Sequence, residues 1–218
     1  MNNEVSNYLS NLLPNEKDWV KDLQRQAKID HVPIMDPVSM QFVMQLIRLN
    51  KPKRILEIGT AIGYSALRML EANPESSIFT IEKDEARYEQ AVNNIKKYDL
   101  NKKVKIIYGD ASEVMENELP KTERFDCVFI DAAKGQYKSY FNLADKLLEE
   151  NGFIIADNVL FKGYIANAND DHPRRYRKLI KKLKEFNEWI SNLPSYRTSI
   201  VPIGDGVAIS YKNSREEF

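Results

Sequence analysis

The chain has 218 residues, with 32 Lys+Arg against 32 Asp+Glu, and its formal net charge is zero. Hydrophobic residues make up 43% and charged residues 29%, which suits one folded domain and excludes a disordered chain. There is no apolar run of membrane-spanning length, Met1-Asn2-Asn3-Glu4 lacks signal-peptide character, and balanced charge argues against sequence-blind coating of DNA or RNA.

Residues 1–50 read as an N-terminal helical cap. Val20 to Ile29 is amphipathic, His31-Val32-Pro33-Ile34-Met35-Asp36-Pro37 interrupts it, and Val38 to Leu49 resumes helical spacing. From residue 51 to 218 strands and helices alternate, and this stretch reads as one structural unit. Predicted strands are Arg54–Ile58, Ser77–Glu82, Val104–Tyr108, Phe125–Asp131 and Gly152–Asp157. Predicted helices are Tyr64–Ala72, Glu85–Tyr98, Ser112–Leu119, Gln136–Glu149 and the basic Arg174–Asn192. Continuous apolar strands imply a parallel sheet covered on both faces. Arg197–Ile203 and Val207–Tyr211 flank Gly204-Asp205-Gly206, so an antiparallel hairpin is expected to close the sheet.

Chemistry is expected at the carboxyl ends of the strands. Glu57-Ile58-Gly59-Thr60-Ala61-Ile62-Gly63 follows the first strand and opens a helix, so backbone can approach a ligand there. Its glycine spacing is not that of a dinucleotide fingerprint, which disfavours a dehydrogenase. Glu82 ends the second strand, where an acid can bind ribose hydroxyls. Gly109-Asp110-Ala111 ends the third. A carboxylate at Glu57 suits a cofactor bearing an ammonium and a sulfonium. Together these strand ends resemble an S-adenosylmethionine pocket.

Asp131 ends the fourth strand and Asp157-Asn158 the fifth. Three oxygen donors on neighbouring strands suit a hard octahedral cation such as Mg²⁺. The plainer alternative is that each acid caps its own loop. Lys134 lies three residues past Asp131, and like charge from a neighbouring cation favours the neutral amine, making it a candidate general base.

Leu56 to Ser65, Phe129 to Lys134 and Asp157 to Leu160 resemble the cation-dependent O-methyltransferases, including the catechol and caffeoyl-coenzyme A enzymes. That resemblance runs from about residue 30 to the C-terminus. Phe129–Tyr137, Asp157–Gly163 and Pro202–Ser210 further resemble the bacterial branch that methylates 5-hydroxyuridine at the tRNA wobble position (position 34). The resemblance implies a class I, Rossmann-like, seven-stranded sheet with helices on both faces. It implies S-adenosylmethionine held by Met35, Glu57, Gly59, Tyr64, Ser65, Glu82, Asp110, Ala111 and Asp131. It implies a metal at Asp131, Asp157 and Asn158, catalysis by Lys134 with Asp131, a cytoplasmic location and a homodimer. Ala132-Ala133 stand where catechol enzymes carry bulky residues, which favours a larger substrate over a flat phenol.

Arg174, Arg175, Arg177, Lys178, Lys181, Lys182 and Lys184 place seven cations in 11 residues with no acid between them. Leu179, Ile180, Leu183, Phe186 and Ile190 give the same helix an apolar face. The bland reading is a solvated amphipathic helix. The functional reading is a phosphate track, with Lys162, Arg174, Arg175 and Arg177 as RNA-binding candidates. Cys127 reads as a small core residue, and its solitude excludes an internal disulfide. His31 and His172 read as loop residues, and Trp189 as core or dimer surface. Three readings compete: a tRNA wobble-uridine methyltransferase, a small-molecule catechol or hydroxycinnamoyl methyltransferase, and a cofactor sensor without turnover.

Overall fold

The computed structural model describes residues 3–99, 102–120, 122–166 and 172–213. Met1 and Asn2 lie outside them. Three helices come first: α1 (Asn3–Asn11), α2 (Asp18–Ile29) and α3 (Pro37–Asn50). Then follow β1 (Arg54–Ile58), α4 (Tyr64–Ala72), β2 (Ser77–Glu82), α5 (Glu85–Tyr98), β3 (Val104–Tyr108) and the short α6 (Ala111–Glu113). The remainder is β4 (Phe125–Ile130), α7 (Tyr137–Leu147), β5 (Leu148–Ala156), α8 (Arg177–Ser191), β6 (Tyr196–Val201) and β7 (Val207–Lys212). The strands form one sheet ordered β3-β2-β1-β4-β5-β7-β6. The first five are parallel, and β7 runs antiparallel to both β5 and β6.

Period-two alternation divides the strand side chains between two cores. Leu56, Ile58, Val128, Ile130, Ile154 and Ala156 face α7 and α8. Ile55, Cys127, Phe129, Phe153 and Ile155 face the opposite way, toward α2, α3, α4 and α5. Val20, Leu23, Met40, Val43, Met44 and Ile47 from the N-terminal helices are buried in that second core. The cap thus shares a core with the sheet. Cys127 is fully buried, and burial pushes its thiol well up, out of reach of nucleophilic chemistry. No helix of the described residues is long and apolar enough to cross a membrane.

Element boundaries differ from the sequence reading for local reasons. β5 starts at Leu148 because Leu148 pairs with Phe125 across a register shift, with Asn151 in a left-handed conformation. β6 stops at Val201 because Pro202 has no N–H for the ladder. The basic helix begins as a 3-10 turn, Arg174–Tyr176, closed by Tyr176 N–H to the Pro173 carbonyl. Lys134–Gln136 is a similar turn ahead of α7. The predicted Ser112–Leu119 helix is α6 followed by a π turn, Val114–Glu118.

A charged knot fastens the N-terminal segment to α4. Arg68, 5% exposed, meets Glu71 at 2.9 Å and Glu16 at 3.7 Å, and Lys17 reaches Glu71 at 3.1 Å. Removing the buried guanidinium leaves Glu16 unpaired and Glu71 with only the solvated Lys17, whereas Lys17 is itself largely in water. Arg68→Ala is therefore expected to cost about 3 kcal/mol in denaturant unfolding, and Lys17→Ala less than about 1 kcal/mol.

Candidate active site

The sheet ladder runs one residue past β1, β3, β4 and β5, and this lines up the loops. Gly59 N–H donates to Ile81 (3.0 Å), Gly109 N–H to Glu82 (2.9 Å), Asp131 N–H to Ile58 (3.0 Å) and Asp157 N–H to Ile130 (3.0 Å). The strand order reverses between β1 and β4, where open α/β sheets leave a crevice. A cavity of about 980 Å³ opens there. It is large enough for a nucleoside-sized cofactor and a second ring.

Gly59 has φ +99°, and a Cβ there would sit 2.1 Å from the Asp131 carbonyl oxygen. Its glycine is required by the close approach of the β4 loop. Gly63 begins α4 at φ +86° and directs Tyr64 and Ser65 to the cavity wall. Glu82 is fixed by three backbone donors: Ala61 N–H at 2.8 Å, Lys83 N–H at 3.0 Å and Asp84 N–H at 2.9 Å. Its carboxylate is thereby held rigid on the cavity wall, suited to a pair of vicinal hydroxyls. Met35 lines the wall from the α2–α3 link, and Asp36 next to it caps α3 through Ser39 N–H at 3.0 Å.

Most expected site residues meet at this cavity: Met35, Gly59, Tyr64, Ser65, Glu82, Ala111, Asp131, Lys134, Asp157, Asn158 and Lys162. Glu57 and Asp110 do not line it. Glu57 is wholly buried behind the wall and accepts hydrogen bonds from the Ser65 and Thr80 hydroxyls. Desolvation pushes its carboxyl up to about 8 in spite of those bonds. It thereby ties down the Ser65 hydroxyl at the wall. Asp110 spends its carboxylate on Ser112 N–H at 2.9 Å as the α6 cap, leaving Gly109 and Ala111 at the wall.

Asp131 and Asp157 form the chemical end. Burial raises the proton affinity of both, their mutual repulsion raises that of Asp157 further, and Lys134 opposes this at each. Among the described residues no three His, Cys, Asp or Glu side chains cluster to hold a metal. The donor set is two carboxylates with the Asn158 amide. These oxygens fit a hard divalent cation, whose charge would relieve the repulsion between the buried acids.

The loop after Asp157 is unusual. Asn158, Phe161, Lys162 and Gly163 all have φ between +41° and +75°. A non-glycine residue there costs about 1 kcal/mol or more. Among the contacts that hold the loop are Tyr137 hydroxyl to Asp157 carbonyl (2.9 Å), Asn187 Nδ2 to Val159 carbonyl (2.9 Å), and Leu160 N–H to Asp205 carbonyl (2.8 Å). The backbone turns Phe161 into the cavity as an aromatic wall. The sequence pattern points to neither Phe161 nor Asp205. The Phe161 backbone conformation leaves no periodic signal, and Asp205 reads only as a turn residue.

Lys162 is at the cavity, while Arg174, Arg175 and Arg177 are outside it and exposed. They are nevertheless attached to its mouth. The Tyr176 ring packs on Phe161 at 5.2 Å, and the Arg175 guanidinium lies over Tyr176 at 4.7 Å. Lys182 Nζ donates to the Gly135 carbonyl at 3.2 Å, next to Lys134. Ile180, Leu183, Phe186 and Ile190 fill the core below. Trp189 packs against Phe141 and Phe186, as a core residue.

Comparison with known proteins agrees with this geometry. The O-methyltransferase family profile matches residues 7–213. A caffeoyl-CoA O-methyltransferase of Populus kitakamiensis is 32% identical over 93% of this chain and 89% of its own. A catechol O-methyltransferase of Niastella koreensis is 32% identical over 96% and 99%. A candidate caffeoyl-CoA O-methyltransferase from Staphylococcus aureus superposes with TM-score 0.89 and 36% identity, covering 97% of this chain and all of that one. An O-methyltransferase of Bacillus cereus, solved with S-adenosylhomocysteine, gives TM-score 0.83 and 25% identity over 96% and 97% of the two chains. With the fold, the strand-end residues and these matches in agreement, the chain belongs to the O-methyltransferase family.

Proposed function

We propose that this protein transfers the methyl group of S-adenosylmethionine to 5-hydroxyuridine at the wobble position of tRNA, giving 5-methoxyuridine, with a divalent cation at Asp131, Asp157 and Asn158. The carrying observation is the basic segment Arg174–Lys184 attached at the cavity mouth through Tyr176 and Phe161. A small phenol has no use for a phosphate-binding track, whereas an anticodon arm does. A methylatable 5-hydroxyl on uracil is enolic and chemically close to a phenol.

The cofactor supplies an electrophilic methyl on sulfonium, and the cation supplies a Lewis acid that acidifies and orients the acceptor hydroxyl. Glu82 binds the ribose hydroxyls, Ser65 and the Gly59 backbone hold the methionine end, and Gly109 with Ala111 borders the adenine. Lys134 would take the hydroxyl proton at the acceptor oxygen, while Glu82, Ser65 and Gly59 would hold the cofactor so that its sulfonium methyl could be supplied to that oxygen, with S-adenosylhomocysteine as the product. Phe161 supports the acceptor ring and excludes water. Fixing both reactants in one walled site supplies much of the rate.

A second reading has its own support. The Populus and Niastella relatives are named for caffeoyl-CoA and catechol, and the Phe161 wall suits a small phenol as well. Homodimer formation through α1 is also proposed, supported by its exposed apolar Val5 and Tyr8 and the adjoining Leu12, at 46%, 64% and 62% exposure. Tyr8→Glu with Leu12→Glu should then sediment as a monomer.

Incubating the protein with labelled S-adenosylmethionine, Mg²⁺ and total tRNA lacking the modification, beside a catechol panel, separates the two readings. Label should enter tRNA, and Asp131→Ala, Lys134→Ala or EDTA should abolish transfer. Label confined to the catechols would overturn the tRNA reading. Reversing charge at Arg174, Arg175 and Arg177 should weaken tRNA binding and flatten its salt dependence, by about one unit of log–log slope for each phosphate no longer neutralised. Raised proton affinity at Asp131 and Asp157 makes cation binding release protons. Stabilisation by Mn²⁺ in thermal unfolding should therefore grow as pH rises across the neutral range. A pH-independent shift would show that these acids do not hold the ion.

A further inference from the structure

Asp205 is an acid at the cavity with no task in the scheme above. It sits between Gly204 and Gly206 in the β6–β7 turn and lines the cavity with Asp157, Asn158 and Phe161. The turn is wedged in place. A Cβ on Gly204 would lie 2.2 Å from Ser39 Oγ, and one on Gly206 2.4 Å from Leu160 Cγ, both at positive φ. Its backbone carbonyl accepts from Leu160 N–H at 2.8 Å and Phe161 N–H at 3.1 Å, and Val159 N–H reaches the Gly206 carbonyl at 3.0 Å. The turn's backbone is thus tied to the loop after Asp157. Among the described residues, no hydrogen bond or ion pair engages the Asp205 carboxylate. It is nonetheless near enough to Asp157 to raise that group's proton affinity. An unpartnered carboxylate carried on a fixed backbone beside the reaction centre is an acceptor awaiting a donor.

Resting on the tRNA reading, we propose that Asp205 is a specificity-determining residue that accepts a hydrogen bond from the N3–H of the uracil ring being methylated. The chemistry of the ring supports this. A ring that brings its 5-hydroxyl to Asp131, Asp157 and Asn158 carries O4 next along the same edge and N3–H after it. Uracil has a hydrogen at N3, and an acid in front of that position accepts it. A ring whose N3 bears a methyl group, or a lone pair as in cytosine, leaves the carboxylate unpaired in a partly desolvated wall. That is the arrangement by which sites reject close analogues strongly.

The test uses full-length protein and two synthetic anticodon hairpins, one carrying 5-hydroxyuridine and one its N3-methyl analogue. Wild type should favour the N3–H hairpin in kcat/KM by about tenfold or more. Asp205→Ala should lose most of its activity on that hairpin and methylate the two at similar rates. Asp205→Asn, which keeps the shape of the turn, should fall between. S-adenosylhomocysteine affinity should match wild type in both variants and a Mn²⁺ thermal shift should persist in both, and this separates recognition of the ring from misfolding or loss of the cation site. An unchanged preference in Asp205→Ala, or a loss of Mn²⁺ or S-adenosylhomocysteine binding in Asp205→Asn, would overturn the proposal. Wild-type inactivity on the 5-hydroxyuridine hairpin would overturn the tRNA reading and this inference together.

Discussion

Asp131 and Asp157 cannot move apart. Each is the first residue beyond a parallel strand, and each backbone N–H is tied to the neighbouring strand's last carbonyl. β4 and β5 pair in strict register from Cys127–Phe153 to Ile130–Ala156, so the spacing of the two acids is a property of the sheet. Burial then makes their joint ionisation costly. Much of the surrounding architecture manages this conflict. Lys134 offers a nearby positive charge, Tyr137 ties down the Asp157 carbonyl, and Gly59 yields all its side-chain volume so that the β4 loop can close over β1.

The same constraint explains why α8 belongs to the site although its cations stand outside the cavity. Asn187, buried on its inner face, holds the Val159 carbonyl, and Lys182 on its outer face holds the Gly135 carbonyl. One helix therefore clamps the loop after Asp157 and the turn carrying Lys134. Its apolar residues pack into the core that backs β4 and β5. Packing and surface charge are different faces of one element, as the seven-cation segment above Ile180, Leu183 and Phe186 illustrates.

Much of this was legible in the sequence because strands buried on both faces produce uninterrupted apolar runs, and acids at their ends stand out. The sheet, its closing hairpin, and the convergence of Gly59, Glu82, Asp131 and Asp157 follow from that pattern. Its resolution ends where backbone conformation decides the outcome. Phe161 reaches the cavity only because Asn158, Phe161 and Lys162 adopt left-handed angles held by tertiary contacts. Glu57 is placed by its alternation on β1 behind the wall, bonded to Ser65 and Thr80, a partnership that strand periodicity alone does not name. Strand and helix limits differ where a bulge or a proline interrupts a pattern that composition alone extends.

The β6–β7 turn also sets an order of events during synthesis. β7 lies between β5 and β6 in the sheet, although it is the last strand in the sequence. A nascent chain still short of Val207 already carries Lys134, both acids and Asn158. Until β7 is made and inserted, nothing fixes the carbonyls of Asp205 and Gly206 where they hold Val159, Leu160 and Phe161 in their strained path. Those residues would relax toward ordinary backbone conformations and withdraw the aromatic wall. The aromatic wall beside the two acids therefore depends on the hairpin being in place, so the site is completed by the last strand of the sheet to be made.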